Sequence, residues 1–170
     1  MRKHIFLIGM MGCGKSTIGR LLSGHLGCRF ADLDEEIVRY EERSIPEIFA
    51  DVGDAGFRHC ETAALRCVID EDPCIVATGG GIVTREENIA LMRKAGLVIW
   101  LNRPLEDMIA DVRQDTRPNL TGDKQERMRT LFAARKPLYE RAAHIVFSNH
   151  LPAGQSAALL AELIAGHHLA

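Results

Sequence analysis

The chain has 170 residues, 46% of them hydrophobic and 26% charged, with a formal net charge of −2 at pH 7. That size and balance fit one globular domain spanning 1–170 with a real core. They give no electrostatic pull toward nucleic acid or an anionic membrane, and no apolar run nears the ~20 residues of a transmembrane helix. Five cysteines, at 13, 28, 60, 67 and 74, are odd in number and form no C-x-x-C. This argues against a disulfide framework or a zinc site and for a reducing compartment, the cytoplasm.

Arg2 and Lys3 precede an apolar run, as in a signal peptide, but a glycine-rich motif stands where the apolar region would have to continue. His4 to Ile8 instead reads as a strand buried on both faces. Gly9-Met10-Met11-Gly12-Cys13-Gly14-Lys15-Ser16-Thr17 follows and fits G-x-x-x-x-G-K-[ST]. A helix with Ile18, Leu21 and Leu22 on one face comes next, which is the strand–loop–helix context this phosphate-binding motif requires. The backbone N–H groups of Gly12, Cys13 and Gly14 and the helix N-terminus can cradle an anion. Lys15 can reach terminal phosphates, and the Ser16 hydroxyl, ahead of Thr17, can ligate Mg²⁺. A nucleoside triphosphate is the expected ligand. Cys13 reads as a small residue that fits the loop, with oxidation sensitivity at a helix N-terminus as the alternative.

Gly27 is the expected end of the first helix. Cys28 to Ala31 is a second short strand, delivering Asp32-Leu33-Asp34 to the edge where an open parallel sheet binds ligands. The two aspartates serve either a site, one supporting Mg²⁺ and the other facing a second substrate, or helix capping, with Asp34 the candidate cap. Helices are expected over about 35–42 and after Ser44, where Ser44-Ile45-Pro46-Glu47 has capping-box spacing. Asp54 is expected to cap a further helix bearing Phe57, Arg58, Glu61, Leu65, Val68 and Ile69. Arg58 and Glu61, three apart, are either a surface pair or a guanidinium held toward the cleft for a carboxylate.

Cys74 to Ala77 is a third strand and runs into Thr78-Gly79-Gly80-Gly81, which is either a flexible turn or a backbone floor under a small ligand. Thr84-Arg85-Glu86-Glu87 has capping-box spacing and opens a helix to about Lys94, and Leu97 to Leu101 is the fourth strand. A helix begins at Pro104. From 113 to 123 the periodicity stops in a polar stretch with Arg113 and Arg117, the pattern of a lid that brings a cation onto phosphate. A helix over about 124–141 carries Arg135, Ile145 to Phe147 is a fifth strand, and Ala157 to Ile164 a closing helix. Of the 16 arginines, against 5 lysines, six lie between 113 and 141. Tyr40, Trp100 and Tyr139 are not expected to form a stacking platform. Strands alternating with helices define a doubly wound α/β fold with a mostly parallel sheet.

Taken together, the loop at 9–17, Asp-Leu-Asp at 32–34, Ile-Pro-Glu-Ile-Phe at 45–49, Gly-Phe-Arg-His-Cys-Glu at 56–61, Ala-Thr-Gly-Gly-Gly at 77–81, Arg-Pro at 117–118 and Arg-Lys-Pro-Leu-Tyr at 135–139 resemble shikimate kinase in order and spacing over nearly the whole chain. The resemblance implies a three-layer fold like that of nucleoside monophosphate kinases, with a five-stranded parallel sheet in order 2-3-1-4-5 and a lid at about 113–123. It implies ATP- and Mg²⁺-dependent phosphorylation of the shikimate 3-hydroxyl, on the route to chorismate and aromatic amino acids. By the same resemblance Lys15 and Ser16 with the loop hold ATP and Mg²⁺, and Asp32 supports the metal. Asp34 binds the shikimate hydroxyls and is the candidate base, Arg58 and Arg135 clamp the carboxylate, and Gly79, Gly80 and Gly81 form the floor. Arg117 reaches the phosphates and Arg113 flanks the adenine. Shikimate and ATP are the expected partners, with no nucleic acid and no membrane, and a monomer is expected. The chain departs from the family's usual pattern at Asn119, at Gly53-Asp54 and over Ser148 to Pro152. Alternatives are another small P-loop kinase, such as a gluconate kinase, and a non-catalytic nucleotide-binding regulatory relative.

Overall fold

The computed structural model describes residues 3–111 and 124–166. Five strands, β1 (His4–Ile8), β2 (Phe30–Asp32), β3 (Ile75–Ala77), β4 (Gly96–Asn102) and β5 (Ile145–Ser148), form one sheet in the order β2-β3-β1-β4-β5. All four pairings are parallel, with Leu7 opposite both Ala77 and Ile99. Every residue of β1 is buried, as its unbroken apolar run requires of a strand covered on both faces. The central three strands feed one continuous core from Phe6 and Val76 to Trp100.

The helices are α1 (Lys15–Leu26), α2 (Leu33–Glu41), α3 (Ile45–Ile69), α4 (Glu86–Ala95), α5 (Leu105–Asp111), α6 (Lys124–Ala142) and α7 (Ala153–Gly166). Helix α1 packs on α7, α2 on α3, and α5 on α6. Because the strands are parallel, the segments after Ile8, Asp32, Ala77, Asn102 and Ser148 all emerge at one edge. The chain leaves β1 there between β3 and β4, the switch point at which such sheets bind ligands.

Several local expectations are corrected. Helix α2 starts at Leu33, and Asp32 rather than Asp34 is its cap: Asp32 Oδ1 accepts from the Asp34 N–H at 3.1 Å. Asp34 therefore stands in the first helical turn. The helices expected on either side of Asp54 run on as α3, broken at Gly53, whose φ of 65° and ψ of −172° are not helical. The capping box at Ser44 forms, with Glu47 Oε2 accepting from the Ser44 N–H at 2.8 Å. The one expected at Thr84 does not. Thr84 Oγ1 donates to the Gly81 carbonyl at 2.7 Å within a 3₁₀ turn over Ile82–Thr84, and Glu87 is drawn instead to Arg66 at 2.5 Å. Helix α7 begins at Ala153, just after Pro152, four residues before its apolar periodicity becomes visible. Trp100 and Tyr139 stack on each other inside the core, ring centroids 5.7 Å apart.

His4, at the opposite edge of the sheet, is buried. Its Nδ1 accepts from the Cys74 N–H and its Nε2 faces the Ile69 carbonyl, both at 3.3 Å. Only the neutral Nε2–H tautomer serves both bonds. Burial, aided by Arg29, holds its pKa below the ordinary value, against the hydrogen bond to the Ile69 carbonyl and the weaker pull of Glu71. With the folded-state value depressed, the unfolded chain binds more protons, so this contribution to stability is present above about pH 6.5 and is lost as pH falls below it. Glu61, whose carboxyl is pushed up by burial, contributes in the opposite sense. Melting temperature should therefore fall between pH 7 and pH 5.5 more steeply in the wild type than in His4→Gln. Parallel curves for the two proteins would show that His4 does not report pH.

Candidate active site

The loop between β1 and α1 wraps around its own lysine. Lys15 Nζ donates to the carbonyls of Gly9 and Met10, each at 2.9 Å, and lies 3.7 Å from Cys13 Sγ. Gly12 and Gly14 have φ of 80° and 90°, values that L side chains rarely adopt and that turn successive N–H groups to one side. Gly14 caps α1, so the helix N-terminus opens directly onto the loop. Cys13 is fully buried and fills the space under the loop. Ser16 and Thr17 are exposed on the first turn of α1. Ser16 Oγ donates to Asp32 Oδ2 at 2.5 Å, bringing a hydroxyl and a carboxylate oxygen together at the mouth of the loop.

A second set of groups faces this loop from β3 and the helices. A methyl added at Gly79 would lie 2.6 Å from Glu61 Oε1 and 3.1 Å from Asp34 Oδ1. One added at Gly80 would lie 3.3 Å from the Met11 nitrogen and 3.7 Å from Arg135 Nη1, and one at Gly81 would overlap the Arg58 guanidinium. The three glycines thus form a surface on which Asp34, Arg58, Glu61 and Arg135 press from several directions. Tyr139, one turn beyond Arg135 on α6, donates its hydroxyl to the Gly80 carbonyl at 2.5 Å and fastens that surface from below. Burial drives the Tyr139 phenol far above its ordinary pKa, against the pull of Arg135, so it stays a donor.

Arg58 is not a surface residue. Its side chain is only 12% exposed, and it donates to Glu61 Oε2 at 2.8 Å and to Asp54 Oδ1 at 3.2 Å. Glu61 is fully buried, and its Oε1 has no hydrogen-bond partner among the described residues. Burial raises the Glu61 carboxyl while the Arg58 charge holds it down, with Asp34 and Arg135 as smaller opposing influences. A buried carboxylate with one oxygen on the guanidinium fork fixes the fork's direction.

Beside the loop, a cleft of about 410 Å³ is lined by Asn102, Arg103, Leu105, Phe132, Lys136 and Asn149, among others. Neither Arg103 nor Asn149 stands out by itself in the sequence, although Asn149 falls within the atypical segment Ser148 to Pro152. The signal that could have found them is positional: each stands just past the C-terminal end of a strand, at the ligand-binding edge. Arg113 and Arg117, with the whole stretch expected to be a lid, lie outside the described residues. Among the described residues no three His, Cys, Asp or Glu side chains form a metal-holding group, and no helix is long and apolar enough to cross a membrane.

A parallel sheet in this order, with a glycine-rich loop after its central strand, is the P-loop fold of the nucleoside monophosphate kinase-like class. A deoxyadenosine kinase from M. mycoides shares that fold at 17% identity, with a TM-score of 0.62 over 96% of this chain and 99% of the other. Nearer relatives narrow the class. The family model for shikimate kinase matches residues 11–165. A shikimate kinase of Geobacter metallireducens is 45% identical over 142 residues, 82% of this chain and 79% of that protein. Another, of Clostridium beijerinckii, is 37% identical over 164 residues, 96% of each. The structure of shikimate kinase from Acinetobacter baumannii in complex with shikimate matches with a TM-score of 0.94 and 34% identity, over 99% of this chain and 96% of that one. The chain belongs to the shikimate kinase family.

Proposed function

We propose that this chain transfers the terminal phosphoryl group of ATP to the 3-hydroxyl of shikimate, giving shikimate 3-phosphate and ADP. One observation carries the reading. Asp34, Arg58, Glu61 and Arg135 converge on the glycine surface at 79–81, and that surface backs onto the nitrogen of Met11 in the phosphate loop. Donor and acceptor sides therefore share one wall. The acceptor side offers two cations, Arg58 and Arg135, and two carboxylates, of which Glu61 is engaged with Arg58 and Asp34 faces Gly79, the complement of a small acid bearing hydroxyls.

In this reading the loop N–H groups and Lys15 hold the phosphates, and the N-terminus of α1 adds partial positive charge where negative charge accumulates. Arg58, aimed by Glu61, and Arg135 take the shikimate carboxylate. Asp34 accepts from the hydroxyl that attacks and orients its lone pair in line with the phosphorus. The 410 Å³ cleft beside the loop has room for the nucleoside part of ATP. Ser16 and Asp32 supply two hard oxygens side by side, a fit for Mg²⁺, which usually takes only one or two protein oxygens and completes its shell with phosphate and water. When bound, the ion neutralises phosphate charge. Arg113 and Arg117 keep the roles that the family resemblance implies, at the adenine and at the phosphates.

A coupled assay of ADP release with shikimate, gluconate and nucleoside monophosphates tests the proposal. Turnover is expected with shikimate and ATP. Turnover with gluconate alone, or tight ATP binding with no turnover on any acceptor, would overturn it.

A further inference from the structure

Two side chains tie down the outer, carbonyl side of the phosphate loop, and neither is needed to bind the acceptor. Asn149, just after β5, is 5% exposed. Its Nδ2 donates to the Cys13 carbonyl at 2.7 Å, and its Oδ1 accepts from the Ser156 hydroxyl of α7 at 2.8 Å. Its own N–H donates to the Asn102 carbonyl at 2.9 Å, so backbone and side chain are both anchored. A carbonyl can only accept, so the amide nitrogen must face Cys13. One position back, Arg103 donates to the Gly12 carbonyl at 2.8 Å and pairs with Asp111 at 2.5 Å.

The geometry of the peptide unit gives these bonds their meaning. In a trans peptide the C=O and the N–H point in opposite directions, and no described peptide is cis. With the Cys13 carbonyl drawn outward to Asn149, the N–H of the same unit, that of Gly14, is turned to the inner side of the loop. A unit flanked by glycine rotates at little cost. Left untied, it would spend part of its time with the carbonyl inward, facing an anion with the wrong end of the dipole.

We infer that Asn149 is a positioning residue for phosphoryl transfer: through the Cys13 carbonyl it keeps the Gly14 N–H aimed at the nucleotide's phosphates, and Ser156 sets the amide that does so. The inference rests on the reading of residues 9–17 as the triphosphate cradle. It does not depend on which acceptor is used.

Asn149→Leu keeps the shape and neutrality of the side chain and removes the donor, and Ser156→Ala releases the amide. Titration calorimetry with ADP, and initial rates with ATP and shikimate varied separately, read the effect. The expected result for Asn149→Leu is an ADP Kd and an ATP KM raised about tenfold, for Ser156→Ala about threefold, with the shikimate KM within about twofold of wild type in both. A purely structural role would move both KM values together. An unchanged ADP Kd in Asn149→Leu, or a parallel rise in both KM values, would overturn the inference. If Asn149→Leu does not fold, Ser156→Ala decides by the same criteria. Failure of the wild type to bind ADP would overturn the triphosphate reading together with this inference, whereas a wild type that binds ADP but ignores shikimate would overturn only the assignment of the acceptor.

Discussion

Replacing Arg58 by alanine should raise the KM for shikimate about a hundredfold and change the KM for ATP by less than about threefold. The guanidinium is held between Glu61 Oε2 at 2.8 Å and Asp54 Oδ1 at 3.2 Å, and it fills the space that a side chain at Gly81 would need. In the proposed reading its removal deletes one arm of the clamp on the shikimate carboxylate. It also strands Glu61, which is fully buried and already has one oxygen without a partner. Breaking a buried ion pair from one side costs about 3–5 kcal/mol, so a lowered melting temperature should accompany the kinetic defect. Glu61 lessens the cost by taking up a proton, the direction in which its burial already pushes it. Arg58→Lys restores the charge without the planar fork and should recover only part of the loss. Initial-rate measurements with each substrate varied in turn check this. Equal increases in both KM values would remove Arg58 from the acceptor side.

Lys15→Met should lower kcat by about a thousandfold or more, because it removes the side-chain cation of the phosphate loop from a reaction that depends on charge neutralisation. The fold should survive. The substitution leaves the Gly9 and Met10 carbonyls without their side-chain donor, at about 1 kcal/mol for each bond. A coupled assay set beside a thermal melt separates the two effects. A kcat within about tenfold of wild type would mean that Lys15 is only a brace for the loop.

Much of the molecule was legible in the sequence because its signals are local. The apolar run at 4–8, the glycine spacing at 9–17 and the capping box at 44–47 each act within a few residues, and each forms where expected. The boundaries of the other four strands shifted by one or two residues. The larger errors came where a local signal met a distant competitor. Thr84 and Glu87 have the spacing of a capping box, but Gly81 takes the hydroxyl and Arg66 takes the carboxylate. Asp32 and Asp34 have the same side chain, two residues apart, and nothing local says which one caps α2. Arg58 and Glu61 look like any i,i+3 pair on an exposed helix face, and only the tertiary fold buries them. Asn149 carries no motif at all. Its importance comes from α7, which brings Ser156 to one side of the amide while the loop brings Cys13 to the other.

The packing at the glycine surface bears on how such an enzyme can change over generations. A lineage cannot place a side chain at Gly81 without displacing Arg58, nor lose Arg58 without leaving Glu61 stranded, nor enlarge Gly79 without striking Glu61. Each single step is harmful while the other residues remain, so the pocket proposed for the acceptor cannot be reshaped by independent substitutions at these positions. The phosphate loop is held by a separate set of partners, Asn149 on the Cys13 carbonyl and Arg103 on the Gly12 carbonyl, so its constraints do not run through Arg58 or Glu61. The two sides of the site can therefore change separately, whereas a change at any one of positions 58, 61, 79 and 81 calls for a matching change at another.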